Sequence, residues 1–167
     1  MDRPRGRATH RVRSAAARAG RLLPANGSVD DLIARLAAER GRPITVMTAP
    51  LSPAEPSGLW LATESVDWIV VPEAMGPVQR TAVICHELSH ILLEHVPLGS
   101  DAEREELARV VAPHVDQSVA LRILARYGYS DVLESEAESL GTVLVGRLAQ
   151  RAERQRVIDD TVSDRLR

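Results

Sequence analysis

From Val29 onward the apolar positions of the chain change period several times. Leu32, Ile33, Leu36 and Ala37 recur at three- and four-residue intervals, which is the spacing of one face of an α-helix. Asp30 or Asp31 is placed to cap this helix, Gly41 to close it, and Pro43 to prevent its continuation. Three runs rich in β-branched and aromatic residues follow, Pro43 to Thr48, Gly58 to Thr63 and Val66 to Val71, and each reads as a strand. A loop with Pro50, Pro53 and Pro56 separates the first two; only Glu64-Ser65 separates the second from the third, a link suited to a hairpin. Trp60 and Trp68 fall within these strands and read as core or sheet-face residues.

Helical spacing then returns. Pro72 and Gly76-Pro77 end the sheet and open a helix with Ile84, Leu88, Ile91 and Leu92 on a core-packing face. Gln79, Val83, His86, His90 and Leu93 share the opposite face, and Pro97 and Gly99 stop the helix. Asp101 to Glu106 reads as an exposed acidic turn or short helix. A last helix carries the stripe Leu133, Ala137, Leu140, Leu144 and Leu148, with Glu134, Glu136 and Glu138 in its first turns.

Composition adds boundaries to this pattern. At 167 residues and 44% hydrophobic, the chain suits one domain large enough to bury a core. No apolar run approaches the roughly 18 residues of a membrane helix. The single cysteine, Cys85, excludes an intramolecular disulfide and fits a reducing compartment as a small buried hydrophobe. Residues 1–28 carry Arg3, Arg5, Arg7, Arg11, Arg13, Arg18 and Arg21 against Asp2, a net charge of about +6, which leaves about −8 for the remainder. Ala15-Ala16-Ala17 is too short for the core of a secretory signal, so a cytoplasmic protein is expected. The charge pattern divides the chain into an Arg-rich disordered arm (1–28), a folded domain (29–150) and a charged helix end or tail (151–167). Nucleic-acid binding through the arm is the less favoured reading of its charge. All 21 basic residues are Arg, a compositional bias to which we attach no function.

The chemistry lies in Cys85-His86-Glu87-Leu88-Ser89-His90, an HExxH sequence inside an apolar helix. At about 100° per residue, His86 and His90 fall about 40° apart, so both imidazoles reach one ion. Glu87 lies about 100° from His86, free to act as general base on a water instead of binding the metal. His95 projects about 180° from His86 if the helix persists, a poor position for a ligand, and is assigned to the helix end where its charge suits the dipole.

A catalytic zinc takes three protein ligands, so a third is needed. Leu93 and Val96 stand where the extended HExxHxxGxxH motif requires Gly and His, which points instead to a carboxylate from the last helix. Measured from the centre of the apolar stripe, Glu136 lies nearest the packed side and is preferred to Glu134 and Glu138. Tyr127, Tyr129 and His114 are the available oxyanion donors, and each also reads as structural.

The order of helix, short strands, His86-Glu87-Leu88-Ser89-His90-Ile91-Leu92-Leu93-Glu94-His95 and Glu136-Ala137-Glu138-Ser139-Leu140-Gly141 resembles the ImmA/IrrE family of metallo-endopeptidases over about residues 29–150. Glu138 stands where many members have Asn or Asp, and Leu140-Gly141 where they have Phe-Ala. The resemblance implies an α+β, zincin-like domain with a small three-stranded sheet, an HExxH helix and a C-terminal helix supplying a carboxylate. It implies one zinc per chain held by His86, His90 and Glu136, with Glu87 as the catalytic carboxylate. The substrate it implies is a repressor of the helix-turn-helix type. Two other functions compete with proteolysis: a zinc-binding regulatory or toxin-antitoxin partner that sequesters a repressor, and a nucleic-acid-binding regulator acting through the arm. No membrane partner is expected.

Overall fold

The structure, a computed structural model, describes residues 4–49, 57–62, 65–95 and 129–165. These form an α+β arrangement of four helices and three strands. Helix α1 (Pro4–Leu22) and helix α2 (Val29–Arg40) precede strands β1 (Ile44–Ala49), β2 (Leu59–Ala62) and β3 (Asp67–Pro72). Helix α3 (Pro77–Leu92) and the long helix α4 (Asp131–Arg165) complete the order. The loop prolines Pro50, Pro53 and Pro56, the link residue Glu64, and Pro97, Gly99, Asp101 to Glu106, His114 and Tyr127 lie outside the described residues.

The sheet has the order β1-β3-β2. Strand β3 runs antiparallel to β2, with Leu59 opposite Val70 and Ala62 opposite Asp67, the hairpin that their sequence proximity predicts. It runs parallel to β1, with Ile44 opposite Asp67 and Thr48 opposite Val71. The central strand β3 is paired along both edges, and consecutive Ile69, Val70 and Val71 are all buried, so both of its faces are covered there. Helix α2 is capped two or three residues earlier than Asp30 or Asp31 suggests. Ser28 is the N-cap: its hydroxyl accepts from the Asp31 N–H at 3.2 Å while the Asp31 carboxylate accepts from the Ser28 N–H at 2.7 Å. This reciprocal pair satisfies two helix-end donors, more than an aspartate cap alone. Gly41 ends the helix at φ 64°, a conformation that favours glycine.

The first 28 residues are the main correction to the sequence reading. Instead of a disordered arm, α1 is a helix whose Ala15, Ala16 and Ala19, with Leu23 beyond its end, enter the central core beside Leu32, Leu36, Leu88, Leu140 and Leu144. Arginine and alanine are strong helix formers, so the charge that suggests disorder is compatible with a helix carrying an alanine stripe. Alanine methyls bury little area, about 0.8 kcal/mol each at most. Polar contacts add to their hold: the Arg147 guanidinium donates to the Ala16 carbonyl, and Arg151 Nε donates to the Pro24 carbonyl at 3.1 Å. Of the two readings of residues 151–167, helix end or tail, the structure has the helix end, because α4 continues without a break to Arg165.

Helix α3 opens as the sequence predicts, with Gly76 as N-cap and Pro77 in the first position. It ends earlier than Pro97 requires. The Glu94 N–H donates to the Ile91 carbonyl at 3.1 Å and the His95 N–H to the His90 carbonyl at 3.0 Å. That bond pair is a Schellman turn, in which the residue before the last takes a left-handed conformation, and Glu94 adopts φ 54°. A glutamate there carries a steric cost of about 1 kcal/mol that glycine avoids. The Arg18–Glu94 ion pair, at 3.9 Å with Glu94 75% exposed, offsets little of it. Glu94→Gly is therefore expected to raise stability by about 1 kcal/mol, or a melting temperature higher by about 2–4 °C. A lower melting temperature in calorimetry would contradict this reading of the turn.

Candidate metal centre

Every residue of α3 from Val83 to Leu92 is buried apart from His86, so HExxH lies in the low-dielectric helix its apolar neighbours imply. Helix α4 crosses close beside it. A Cβ at Gly141 would stand 3.3 Å from the His86 Cα and 3.4 Å from its backbone nitrogen, so glycine sets how near the two helices come. Ala137 and Glu134 precede Gly141 by one and two turns on the same face. Glu134 is thereby carried to the histidines.

His86, His90 and Glu134 form a group able to hold a metal ion, each offering one ligand atom, all within 4.8 Å of one another. The two Nε2 atoms are 3.1 Å apart, and Glu134 Oε2 lies 3.2 Å from His86 Nε2 and 3.8 Å from His90 Nε2. The donor set, two imidazole nitrogens and a carboxylate oxygen, is one that suits a catalytic metal. His90 is sealed in, with the Tyr129 ring stacked on it at 3.7 Å between centroids. His86 and Glu134 remain 29% and 44% exposed, so the group opens on their side. Burial first, then the neighbouring His86 and His95, pulls the His90 imidazole down to about 3. A histidine so disposed is neutral and keeps a lone pair for a metal.

Glu87 is where the motif requires it, buried beside the cluster and outside it. The Trp60 backbone N–H of β2 donates to its carboxylate. Two residues before Trp60, Gly58 leaves room for that carboxylate: a Cβ there would meet Glu87 Oε1 at 2.9 Å and the Val83 side chain at 2.3 Å. Burial, and secondarily the negative charge of Glu134, raises the Glu87 carboxyl to about 8 against the Trp60 bond. A carboxyl so placed holds a proton near neutral pH unless a positive charge lies beside it. Cys85 is a buried hydrophobe with its thiol pushed up to about 12 by burial.

The structure assigns the acidic residues of α4 differently from the sequence reading. Glu136, preferred there as the third ligand, is buried but turned away from the group. Its Oε2 lies 3.1 Å from His95 Nε2 and 3.1 Å from Arg11 Nη1. Glu134 takes the place beside His86, and Glu138 is exposed. The centre of the apolar stripe is a poor guide because α4 packs against two partners. Gly141 lies against the backbone of α3 at His86, and Arg147 reaches the Ala16 carbonyl of α1. A signal was present: Glu134 lies three and seven residues before those two small residues.

His95 is the second correction. The Schellman turn folds it back beneath His90, with its Nδ1 3.0 Å from His90 Nδ1 and its ring fully enclosed. Burial lowers its imidazole below the ordinary histidine range even though Glu136 acts in the other direction. It therefore does not serve as a charged helix-end residue. No helix among the described residues is long and apolar enough to cross a membrane. No protein-family model, curated protein or solved structure matches the chain.

Proposed function

We propose that the protein is a zinc-dependent endopeptidase with His86, His90 and Glu134 as ligands and Glu87 as general base, a relative of the ImmA/IrrE metallo-endopeptidases. The observation that carries this reading is the placement of Glu87. It is buried next to the three-ligand group, gripped by the Trp60 N–H, and contributes no atom to the group itself. A purely structural metal site has no use for a buried carboxylate whose proton affinity is raised toward neutrality.

Bound in the group, zinc would supply an acidified water and polarise the scissile carbonyl. The protein's own side chains do the remaining work. His86, His90 and Glu134 provide two neutral donors and one negative charge, leaving the exposed side of the group for substrate. With the metal's positive charge beside it Glu87 would be ionised, and its carboxylate would accept the proton of the attacking water and return it to the nitrogen of the leaving amine. The Trp60 N–H and Gly58 hold that carboxylate in one position while both transfers occur. The substrate we favour is a helix-turn-helix repressor, on the strength of the sequence resemblance.

Zinc titration tests the site. We expect about one zinc per chain, lost on chelation and abolished by His86→Ala or His90→Ala. Glu134→Ala should weaken binding far more than Glu138→Ala. Metal analysis finding no zinc in the wild-type protein after incubation with it would refute the site. Cleavage of the helix-turn-helix regulator encoded nearest the gene, with and without chelator, tests the activity.

A further inference from the structure

Behind His90 lies a line of polar groups that metal binding and proton transfer leave unexplained. His90 Nδ1 meets His95 Nδ1 at 3.0 Å, and His95 Nε2 meets Glu136 Oε2 at 3.1 Å. Glu136 Oε2 meets Arg11 Nη1 at 3.1 Å, and Arg11 Nη2 donates to the Leu93 carbonyl at 2.8 Å. His90, His95 and Glu136 are all buried, at 1%, 3% and 5% exposure. Polar groups so deeply enclosed must be satisfied by one another.

With a single proton on His95, one direction of donation satisfies them all. A carboxylate paired with a guanidinium accepts and does not donate, so His95 Nε2 carries the hydrogen. Neutral His95 then has a bare Nδ1, which accepts, and His90 Nδ1 must be the donor. His90 Nε2 is left with its lone pair directed at His86 Nε2 and Glu134. The two Nε2 atoms lie 3.1 Å apart, close enough for a proton on His86 Nε2 to face that lone pair.

We propose that His95, Glu136 and Arg11 are positioning residues that lock His90 in its Nδ1-protonated, Nε2-ligating tautomer. The chain starts in α1, passes through α4 and the Schellman turn, and ends on the buried ligand. Metal-ligating histidines commonly have one carboxylate or carbonyl behind them, whose loss costs about 10- to 100-fold in metal affinity. Here the backing is an imidazole relay two residues deep. This inference rests on the metal-centre reading for its purpose but not for its geometry.

The test uses the full-length, metal-free protein with 15N-labelled histidine, and long-range proton–nitrogen correlation to read each ring's tautomer. His90 is expected to carry its proton on Nδ1 and His95 on Nε2. In His95→Leu, which fills similar volume without hydrogen bonding, His90 should populate the Nε2-protonated form, and zinc affinity in chelator competition should fall about 10- to 100-fold. His95→Gln can accept and donate in the same sense and should recover most of the loss, which a packing role would not predict. A wild-type His90 protonated on Nε2 overturns the proposal, as does a His95→Leu protein with unchanged tautomer and zinc affinity. If His95→Leu does not fold, the wild-type spectrum alone decides. A wild type that shows the assigned tautomers yet binds no zinc would uphold the relay and refute the metal reading.

Discussion

Glu87→Gln is expected to lower the rate of peptide hydrolysis by roughly a hundredfold to ten-thousandfold while leaving zinc content and folding unchanged. Glutamine keeps the size of the side chain and a carbonyl oxygen that can still accept from the Trp60 N–H. What it removes is the capacity to accept a proton. Because Glu87 supplies no atom to the His86, His90 and Glu134 group, the metal should not register the change directly. The same substitution relieves an electrostatic burden, since burial and the Glu134 charge both disfavour an ionised Glu87. Stability near neutral pH should therefore hold or improve. Single-turnover cleavage of the substrate protein, with metal analysis on the same sample, checks both halves. A Glu87→Gln protein that cleaves at the wild-type rate would refute the general-base role. One that relieves repression fully with the repressor uncleaved would establish sequestration instead of proteolysis.

The second large effect is expected at Asp67, which contributes no atom to the His86, His90 and Glu134 group. Its fully buried carboxylate accepts from Arg42 Nη2 at 2.8 Å, Arg42 Nε at 3.0 Å, Arg40 Nε at 3.1 Å and Trp60 Nε1 at 3.0 Å. These bonds tie the end of α2 and the start of β3 to β2, the strand that grips Glu87. Removing one partner of a buried ion pair typically costs 3–5 kcal/mol, because the other is left uncompensated. Both arginines keep some access to water, so Asp67→Ala should lie near the lower end, about 3 kcal/mol. Urea unfolding should show an earlier midpoint at unchanged slope. A loss under about 1 kcal/mol would mean that the cluster is incidental to the fold. Asp67→Asn, which retains acceptor capacity toward Trp60, should lose less.

Much of this architecture was legible in the chain because the relevant signals are local. The turn residues Gly41 and Gly76-Pro77 and the 3–4 spacing of Leu32 to Leu36 locate helices without knowledge of their partners. The HExxH spacing likewise places Glu87 beside the histidines through helix geometry alone. What escaped depends on which face meets which neighbour. Helix α1 was missed because six arginines dominate its composition, while its core contacts are made by alanines that carry weak hydrophobic signal. The parallel pairing of β1 with β3 was unreadable from strand patterns, since pairing partners are set by tertiary packing. Glu136 was read as the acid nearest the packed side among Glu134, Glu136 and Glu138, and it is the buried one of the three, but enclosure led to His95 and Arg11. His95 itself was misplaced because Glu94, unlike glycine, gives no warning of a left-handed turn.

The contact at Gly141 makes α4 behave as a lever with its fulcrum on the backbone of His86. Seven residues of helix separate Gly141 from Glu134, a distance of about 10 Å. A rotation of about 10° at the fulcrum would sweep the carboxylate through nearly 2 Å, about ten times the ±0.2 Å tolerance of a metal–ligand distance. Any side chain larger than glycine at 141 pushes directly on that fulcrum. Metal affinity at the proposed centre should thus be an amplified readout of how closely two helices touch, and changes far along α4 should register there first.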